Sequence, residues 1–325
     1  MAVKNQFPIY IPSKGRADSR LTIKALEEMG VPYTVVVEEQ EYSEYAKVVQ
    51  KKNILVLDKT FQDDYDTCDD LGDRKSKGPG PARNFIWQHS IDRGYKWHWV
   101  MDDNIKCFRR WQNNLEIKCI DGTPFKVMED FVLRYKNIGM AGPNYTFFVI
   151  DKWAHQYGPF TVNTRIYSCN LIRNDLPLPD RWRGRYNEDT DLSLRILKKG
   201  WCTIQFNVFL QEKANTQTLK GGNTDEFYAE EGTIPKSNMQ MRLHPDVTKL
   251  VWRYGRHHHY VNYNKFKREN KLIFRDDYKP KKGVNNYGLK LKQVGESKKM
   301  NEILEYLPDS MALVTLIVDL LFVAF

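Results

Sequence analysis

Apolar and polar positions come in short alternating blocks over the first sixty residues. Pro8-Ile9-Tyr10-Ile11-Pro12 has the pattern of a short apolar strand. It runs into a polar loop in which Asp18 or Ser19 can cap a helix over residues 20–28, closed by Gly30. Tyr33-Thr34-Val35-Val36-Val37 is β-branched and uninterrupted, as strands buried on both faces are. Helical spacing follows over residues 41–50, and Asn53-Ile54-Leu55-Val56-Leu57 supplies a third strand. Strand, helix, strand, helix, strand predicts an α/β fold built on a Rossmann-like parallel sheet. Ligands of such a sheet bind beyond the carboxyl ends of its strands.

The pattern then loosens. Residues 61–81 are polar and acidic, then rich in Gly and Lys, and predict a loop. A helix carrying Ile86, Trp87 and Ile91 on its apolar side stops at Gly94, and Trp97-His98-Trp99-Val100-Met101 predicts a strand ending in Asp102-Asp103-Asn104. Residues 105–180 predict mixed strands and loops, with one strand at Tyr145-Thr146-Phe147-Phe148-Val149-Ile150. A helix over residues 189–199 closes at Gly200. No repeat of fixed period is present. Residues 311–325 are apolar, broken only by Thr315 and Asp319. That run is short for a membrane span, which needs ~20 residues, so it predicts a terminal helix docked on the body or on another subunit.

Composition narrows the class. The 325 residues are 41% hydrophobic and 28% charged, which supplies a core and excludes a disordered chain or a polytopic membrane protein. The amino terminus turns polar at Asn5-Gln6, unlike a signal peptide. The five scattered cysteines hold no CxxC pair and point to a reducing compartment without disulfides or structural zinc. A cytoplasmic location is expected, that of the host for a phage-encoded chain. The net charge of +9 is unevenly spread: residues 236–300 hold 17 Lys or Arg against five Asp or Glu, and residues 301–325 hold four acids with no Lys or Arg. The basic segment suits a polyanion bound by counterion release, and equally a solvated basic face. The chain thus divides into a core over 1–235, a basic extension over 236–310 and an apolar tail over 311–325.

Five short constellations carry candidate chemistry. Asp102-Asp103-Asn104 offers the hard oxygen ligands that Mg²⁺ or Mn²⁺ bridged to a diphosphate prefers, although Asp and Asn also form ordinary turns. In Lys77-Gly78-Pro79-Gly80-Pro81-Ala82-Arg83-Asn84 the glycines let backbone approach a ligand and Arg83 suits phosphate; a loop leading into a helix is the plainer alternative. Ile11-Pro12-Ser13-Lys14-Gly15-Arg16 places two cations in the loop after the first strand. Glu188-Asp189-Thr190-Asp191 opens an amphipathic helix, where the dipole favours acids and where a carboxylate can serve as general base toward a hydroxyl. Arg253-Tyr254-Gly255-Arg256-His257-His258-His259-Tyr260 offers histidines to a metal or a diphosphate, although lone histidines are usually structural.

In this order, over residues 8–260, the five resemble the GT-A fold glycosyltransferases. Gly80-Pro81-Ala82-Arg83-Asn84, then a helix, then Trp99-Val100-Met101-Asp102-Asp103-Asn104, is similar to their Gly-x-x-Arg-Asn segment leading to an Asp-x-Asp motif. Glu188-Asp189-Thr190-Asp191-Leu192-Ser193-Leu194-Arg195 resembles their Glu-Asp motif, whose Asp is the acceptor-side base. Within the fold, Ile-Pro-Ser-Lys-Gly-Arg, Asp-Asp-Asn and the run from Gly255 to Tyr263 resemble the TET/JBP-associated glycosyltransferases. Those are common in phages and are linked to sugar addition on 5-hydroxymethylpyrimidines, such as 5-hydroxymethylcytosine, in DNA.

The resemblance implies a single large GT-A domain with a basic C-terminal extension, a UDP-sugar donor, and Mn²⁺ or Mg²⁺. It implies that Pro12, Ser13, Lys14, Arg16, Glu38, Arg83, Asn84 and Asp102 hold the nucleotide sugar. The third place of the Asp-x-Asp motif is Asn104 here, which leaves the metal to Asp102, Asp103 and His258. Asp189, beside Glu188, would take the proton of the attacking hydroxyl, which presumes inversion at the sugar. Acceptor DNA would lie on Trp252, Lys265, Lys267 and Arg268, where aromatics interleave with cations as stacking on an extruded base requires. Two rivals stand: a GT-A enzyme acting on a glycan or lipid-linked acceptor, and a non-enzymatic DNA-binding protein on the same fold. Asn104 is the argument for the second; retention of Asp102, Asp103, Glu188 and Asp189 together counts against it.

Overall fold

The structure, a computed structural model, describes residues 5–71, 76–112, 115–149, 158–214, 234–253 and 255–279. The apolar tail expected to dock as a helix, Tyr254, and the basic segment beyond residue 279 lie outside the described residues.

Ten strands form one sheet. They are β1 (Ile9–Pro12), β2 (Thr34–Val37), β3 (Ile54–Val56), β4 (Trp97–Met101), β5 (Ile105–Gln112), β6 (Leu115–Lys118), β7 (Ile138–Tyr145), β8 (Phe160–Val162), β9 (Cys169–Arg173) and β10 (Cys202–Lys213). Their order is β3-β2-β1-β4-β9-β7-β10-β5-β6, with β8 paired to β10. The first four are parallel, as the strand–helix alternation predicts. The sheet is nevertheless mixed, because β9 runs antiparallel to both β4 and β7. An apolar run records burial but not direction, so this reversal left no trace in the sequence.

The pleat sorts the core into two layers. Ile9, Ile11, Val35, Val37, Trp97, Trp99 and Met101 face one cluster, which also takes Ile23 and Leu26 of α1 (Leu21–Glu28), Tyr45 of α2 (Tyr42–Val48), and Phe125 and Phe131 of α5 (Thr123–Val132). The intervening Tyr10, Val36 and Val100 face the other, with Ile86 and Trp87 of α4 (Gly80–Asp92) and Leu192 and Ile196 of α6 (Glu188–Lys198). This period of two is what a strand covered on both faces requires. A short α3 (Thr60–Asp63) precedes the Gly-rich segment. Beyond the sheet lie α7 (Ile234–Leu243), a hairpin of β11 (Thr248–Arg253) and β12 (Arg256–Val261), and α8 (Asn264–Glu269). They are not a detached arm: Val247 and Phe266 pack on Leu194 and Leu197 of α6, and Asn270 Nδ2 donates to the carbonyls of Leu197 and Trp201.

The apolar run expected as a strand at 145–150 is not one over residues 146–149, and Ile150 lies outside the described residues. β7 ends at Tyr145, and residues 146–149 form the turn after it. The cap expected from Asp18 or Ser19 is likewise not made; Arg20 takes the cap position with φ 27° and no side-chain capping bond. Among the described residues no helix is long and apolar enough to cross a membrane.

Candidate active site

The pairings make β1, β2, β3, β4, β7 and β10 run in one direction, so their carboxyl ends share one rim of the sheet. Ser13, Asp102, Tyr145 and Lys213 lie there, together with Ser168 just before the reversed β9. The backbone of the acidic triplet is fixed from three sides. Asp102 N–H donates to the Ser168 carbonyl at 2.7 Å, the Thr22 amide donates to the Asp103 carbonyl at 3.2 Å, and Ala214 N–H donates to the Asn104 carbonyl at 3.0 Å. Thr22 Oγ1 also donates to the Asp102 carbonyl and accepts from the Ile105 amide. The turn is therefore held by neighbouring elements rather than by its own residues.

The two carboxylates diverge. Asp102 Oδ1 accepts from Arg83 Nη2 at 2.6 Å and its Oδ2 from Lys213 Nζ at 2.7 Å. Burial opposes its ionisation, but Lys213 and Arg83 outweigh burial and hold the carboxyl well below the usual range. Asp103 points inward, where Oδ2 accepts from Ser13 Oγ at 2.7 Å and Oδ1 from Arg16 Nη1. Burial raises the Asp103 carboxyl, and Arg16 pulls against that rise.

Arg83 joins the two acidic motifs. Its guanidinium is 3% exposed, donates to Asp102, and donates through Nη1 to Glu188 Oε1 at 2.7 Å. The Trp182 ring lies 4.6 Å from it. Glu188 opens α6, so this one cation brings the strand-end triplet and the helix start together. Burial pushes the Glu188 carboxyl up against the pull of Arg83. Asp189 is half-buried; its Oδ1 accepts from the Thr190 amide at 2.7 Å. Its charge acts on Arg83, Lys213, Arg165, Tyr167 and Tyr263. Asp191, two residues on, is fully buried between Arg195 Nε (2.6 Å), Arg183 and His244 Nε2 (2.9 Å). Burial raises its pKa, but these partners overcome it and bring it to about 2. Asp191 thus holds the helix, whereas Asp189 stays half-buried.

The other expected site residues divide. Lys14 and Glu38 pair at 3.4 Å beside the carboxyl end of β2, near Pro12 and the rim. Ser13 and Arg16 face inward onto Asp103, so their first duty is to the loop. Asn84 makes a reciprocal clamp on Trp182, donating to its carbonyl (2.9 Å) and accepting its amide (2.8 Å), which positions the residues before α6. His258 sits on the hairpin with Arg256 Nε at 3.1 Å, its pKa lowered by slight burial and by Arg256. Trp252, on the same hairpin, is 65% exposed. Lys265, Lys267 and Arg268 are exposed on α8 around the buried anchor Phe266. Sequence reasoning missed Lys213, Ser168 and Tyr145, which belong to no contiguous motif and meet only because three strands end together.

The carboxylates expected to hold the divalent cation are already paired. Both Asp102 oxygens accept from cations, and Asp103 is committed to Arg16 and Ser13. Among the described residues no three His, Cys, Asp or Glu side chains gather closely enough to hold a metal. The buried Asn104 Oδ1 has no hydrogen-bond partner and is one further neutral oxygen; the remaining places of such an ion are commonly filled by substrate phosphates and waters. Among the described side chains, positive charge at the rim comes from Arg83 and Lys213.

Comparison with known proteins agrees with this geometry. No curated protein matches the chain. The model of one family, TET-Associated Glycosyltransferase, matches residues 7–222, the stretch that contains the whole sheet, the Asp102 turn, Arg83, the start of α6 and Lys213. The chain belongs to the TET-associated glycosyltransferase family and is a glycosyltransferase.

Proposed function

We propose that the enzyme moves a sugar from a UDP-sugar to the hydroxyl of a 5-hydroxymethylpyrimidine, 5-hydroxymethylcytosine first, in DNA. The observation that carries the reading is the pair of contacts from Arg83 to Asp102 and Glu188. It sets a donor-side charge cluster next to Asp189, whose charge also acts on Arg165 and Tyr263.

In this reading Asp189 takes the proton of the attacking hydroxyl. The hydroxyl oxygen bonds to the anomeric carbon as the bond from that carbon to the diphosphate oxygen breaks, with inversion. The leaving diphosphate carries away the bonding pair, and the Lys213 ammonium and Arg83 guanidinium answer its charge. Burial disfavours the Lys213 ammonium, but Asp102 beside it keeps the charge in place. Preset cations of this kind stabilise a developing anion without reorganising. Asp102 is already paired with Lys213 and Arg83, and no step is assigned to a divalent cation.

The acceptor surface is supported by charge. The run Thr248–Val261 contains no acid and carries Lys249, Arg253 and Arg256 beside three histidines. Release of UDP should be followed with plain duplex DNA, hydroxymethylated duplex DNA, and glycan or lipid-linked acceptors. Stimulation by the hydroxymethylated duplex alone is expected. Stimulation by the glycan or lipid acceptor alone would replace this reading with the other transferase reading.

A further inference from the structure

Phe147 and Phe148 lie outside the machinery described so far. They sit in the turn after β7 and are 58% and 41% exposed. Burying such a side chain stabilises a fold, and both forgo much of that gain. Nor are they isolated. The Phe147 ring lies on that of Tyr145 with centroids 4.8 Å apart and planes inclined by 17°. Tyr145 lies in turn on Tyr167, at 4.6 Å and 22°, and the Arg165 guanidinium sits 5.0 Å from the Tyr167 ring. Phe148 meets Phe147 nearly edge-on at 4.4 Å and forms a wall beside it.

This column of rings is bonded into the site. Tyr145 Oη and Ser168 Oγ share a hydrogen bond at 2.5 Å, and Lys213 Nζ donates to the same Ser168 Oγ at 2.8 Å while also holding Asp102. The middle ring, Tyr145, is therefore tied to the donor-side charge cluster, and one end of the column is an exposed phenyl ring with a wall.

We propose that Phe147 and Phe148 form the base subsite of the acceptor, where a base of the DNA strand stacks on Phe147 against Phe148. The inference rests on the DNA reading above. A flat ring extends a parallel stack, whereas a flexible acyl chain gains nothing from parallel planes. The cation on this column, Arg165, matches the phosphodiester that a base brings with it. Stacking on an aromatic ring is also indifferent to base identity, as an acceptor in varied sequence context requires.

The test uses the full chain, a UDP-sugar that it consumes, and a DNA oligonucleotide with one 5-hydroxymethylcytosine beside a fluorescent 2-aminopurine. Stacking quenches 2-aminopurine, so wild-type protein should dim it on binding. Phe147→Ala, and Phe147→Leu as an apolar side chain that cannot stack, should abolish the quench and raise the acceptor KM about 5- to 100-fold, the usual worth of one stacked base. Phe147→Trp should restore both. Slow hydrolysis of the donor by water should be the same in all variants, which a misfolded protein would not show. A Phe147→Ala, Phe148→Ala double variant with wild-type KM and quench on a DNA that wild type does modify would overturn the subsite alone. Transfer by wild type to glycans and not to this DNA would overturn the subsite and the DNA reading together.

Discussion

Asp189 and Asp191 differ by two positions in sequence and entirely in surroundings. Both are favoured in the first turn of α6 by the helix dipole, so capping alone does not rank them, and the choice of Asp189 came from the resemblance. Their surroundings differ: Asp191 is buried among Arg195, Arg183 and His244, whereas Asp189 is half-buried. Asp189→Asn is expected to lower turnover by ~10²–10⁴, the range for loss of a general base, with the melting temperature nearly unchanged. Asp191→Asn leaves buried cations uncompensated and should cost about 3–5 kcal/mol, read as a lower midpoint in urea. A stability loss in the first variant with full activity, and the reverse in the second, would exchange their roles.

Elements were legible where burial and spacing coincide, and illegible where direction or exposure decides. β4 reads as a buried strand from Trp97-His98-Trp99-Val100-Met101, and all five residues are buried. The run from Tyr145 to Val149 carries as strong a strand signal, yet it turns after Tyr145 and leaves Phe147 and Phe148 exposed. Asn84 matched a motif of the site and proved to be a clamp on Trp182, because a motif does not say which way a side chain faces. β4 also carries a pH dependence. His98 is fully buried, its Nδ1 lies 2.6 Å from Asn174 Oδ1, and its Nε2 has no hydrogen-bond partner. Burial chiefly, with some help from Arg181, brings its pKa down to about 4 from 6.5. The unfolded chain takes up a proton below pH 6.5 and the folded chain does not. This contribution to stability is therefore complete above pH 6.5 and is lost as pH falls toward 4, by about 1.4 kcal/mol per pH unit. Urea midpoints for wild type and His98→Gln should converge as pH falls through that window; parallel curves would place the proton elsewhere.

At the scale of the molecule, a nearly neutral sheet carries a basic hairpin and helix on one flank. Charge alone left DNA and solvent as equal claimants to that flank. The packing of Phe266 and Val247 on α6 fixes it to the body of the enzyme. Lys265, Lys267 and Arg268 are exposed around Phe266, so replacing all three by Ala should leave folding intact. If each answers one phosphate, the log–log slope of DNA affinity against salt should flatten by about 2.7, at ~0.9 per contact, with donor hydrolysis unaffected. An unchanged slope would remove α8 from the DNA surface. Trp252→Ala should instead lower transfer to DNA at every salt concentration, because stacking is not screened as charge is.

The most direct measurement is the mass of the nucleosides after reaction. Hydroxymethylated and plain duplex DNA would be incubated with the enzyme and a UDP-sugar, digested completely, and analysed beside a parallel reaction with Asp189→Asn. The account predicts one added sugar on the 5-hydroxymethylpyrimidine nucleoside, none on any nucleoside of plain DNA, and a product yield from Asp189→Asn lower by two orders of magnitude or more at early times. Donor consumption with every nucleoside left at its original mass, and the sugar recovered on a glycan or lipid, would contradict it.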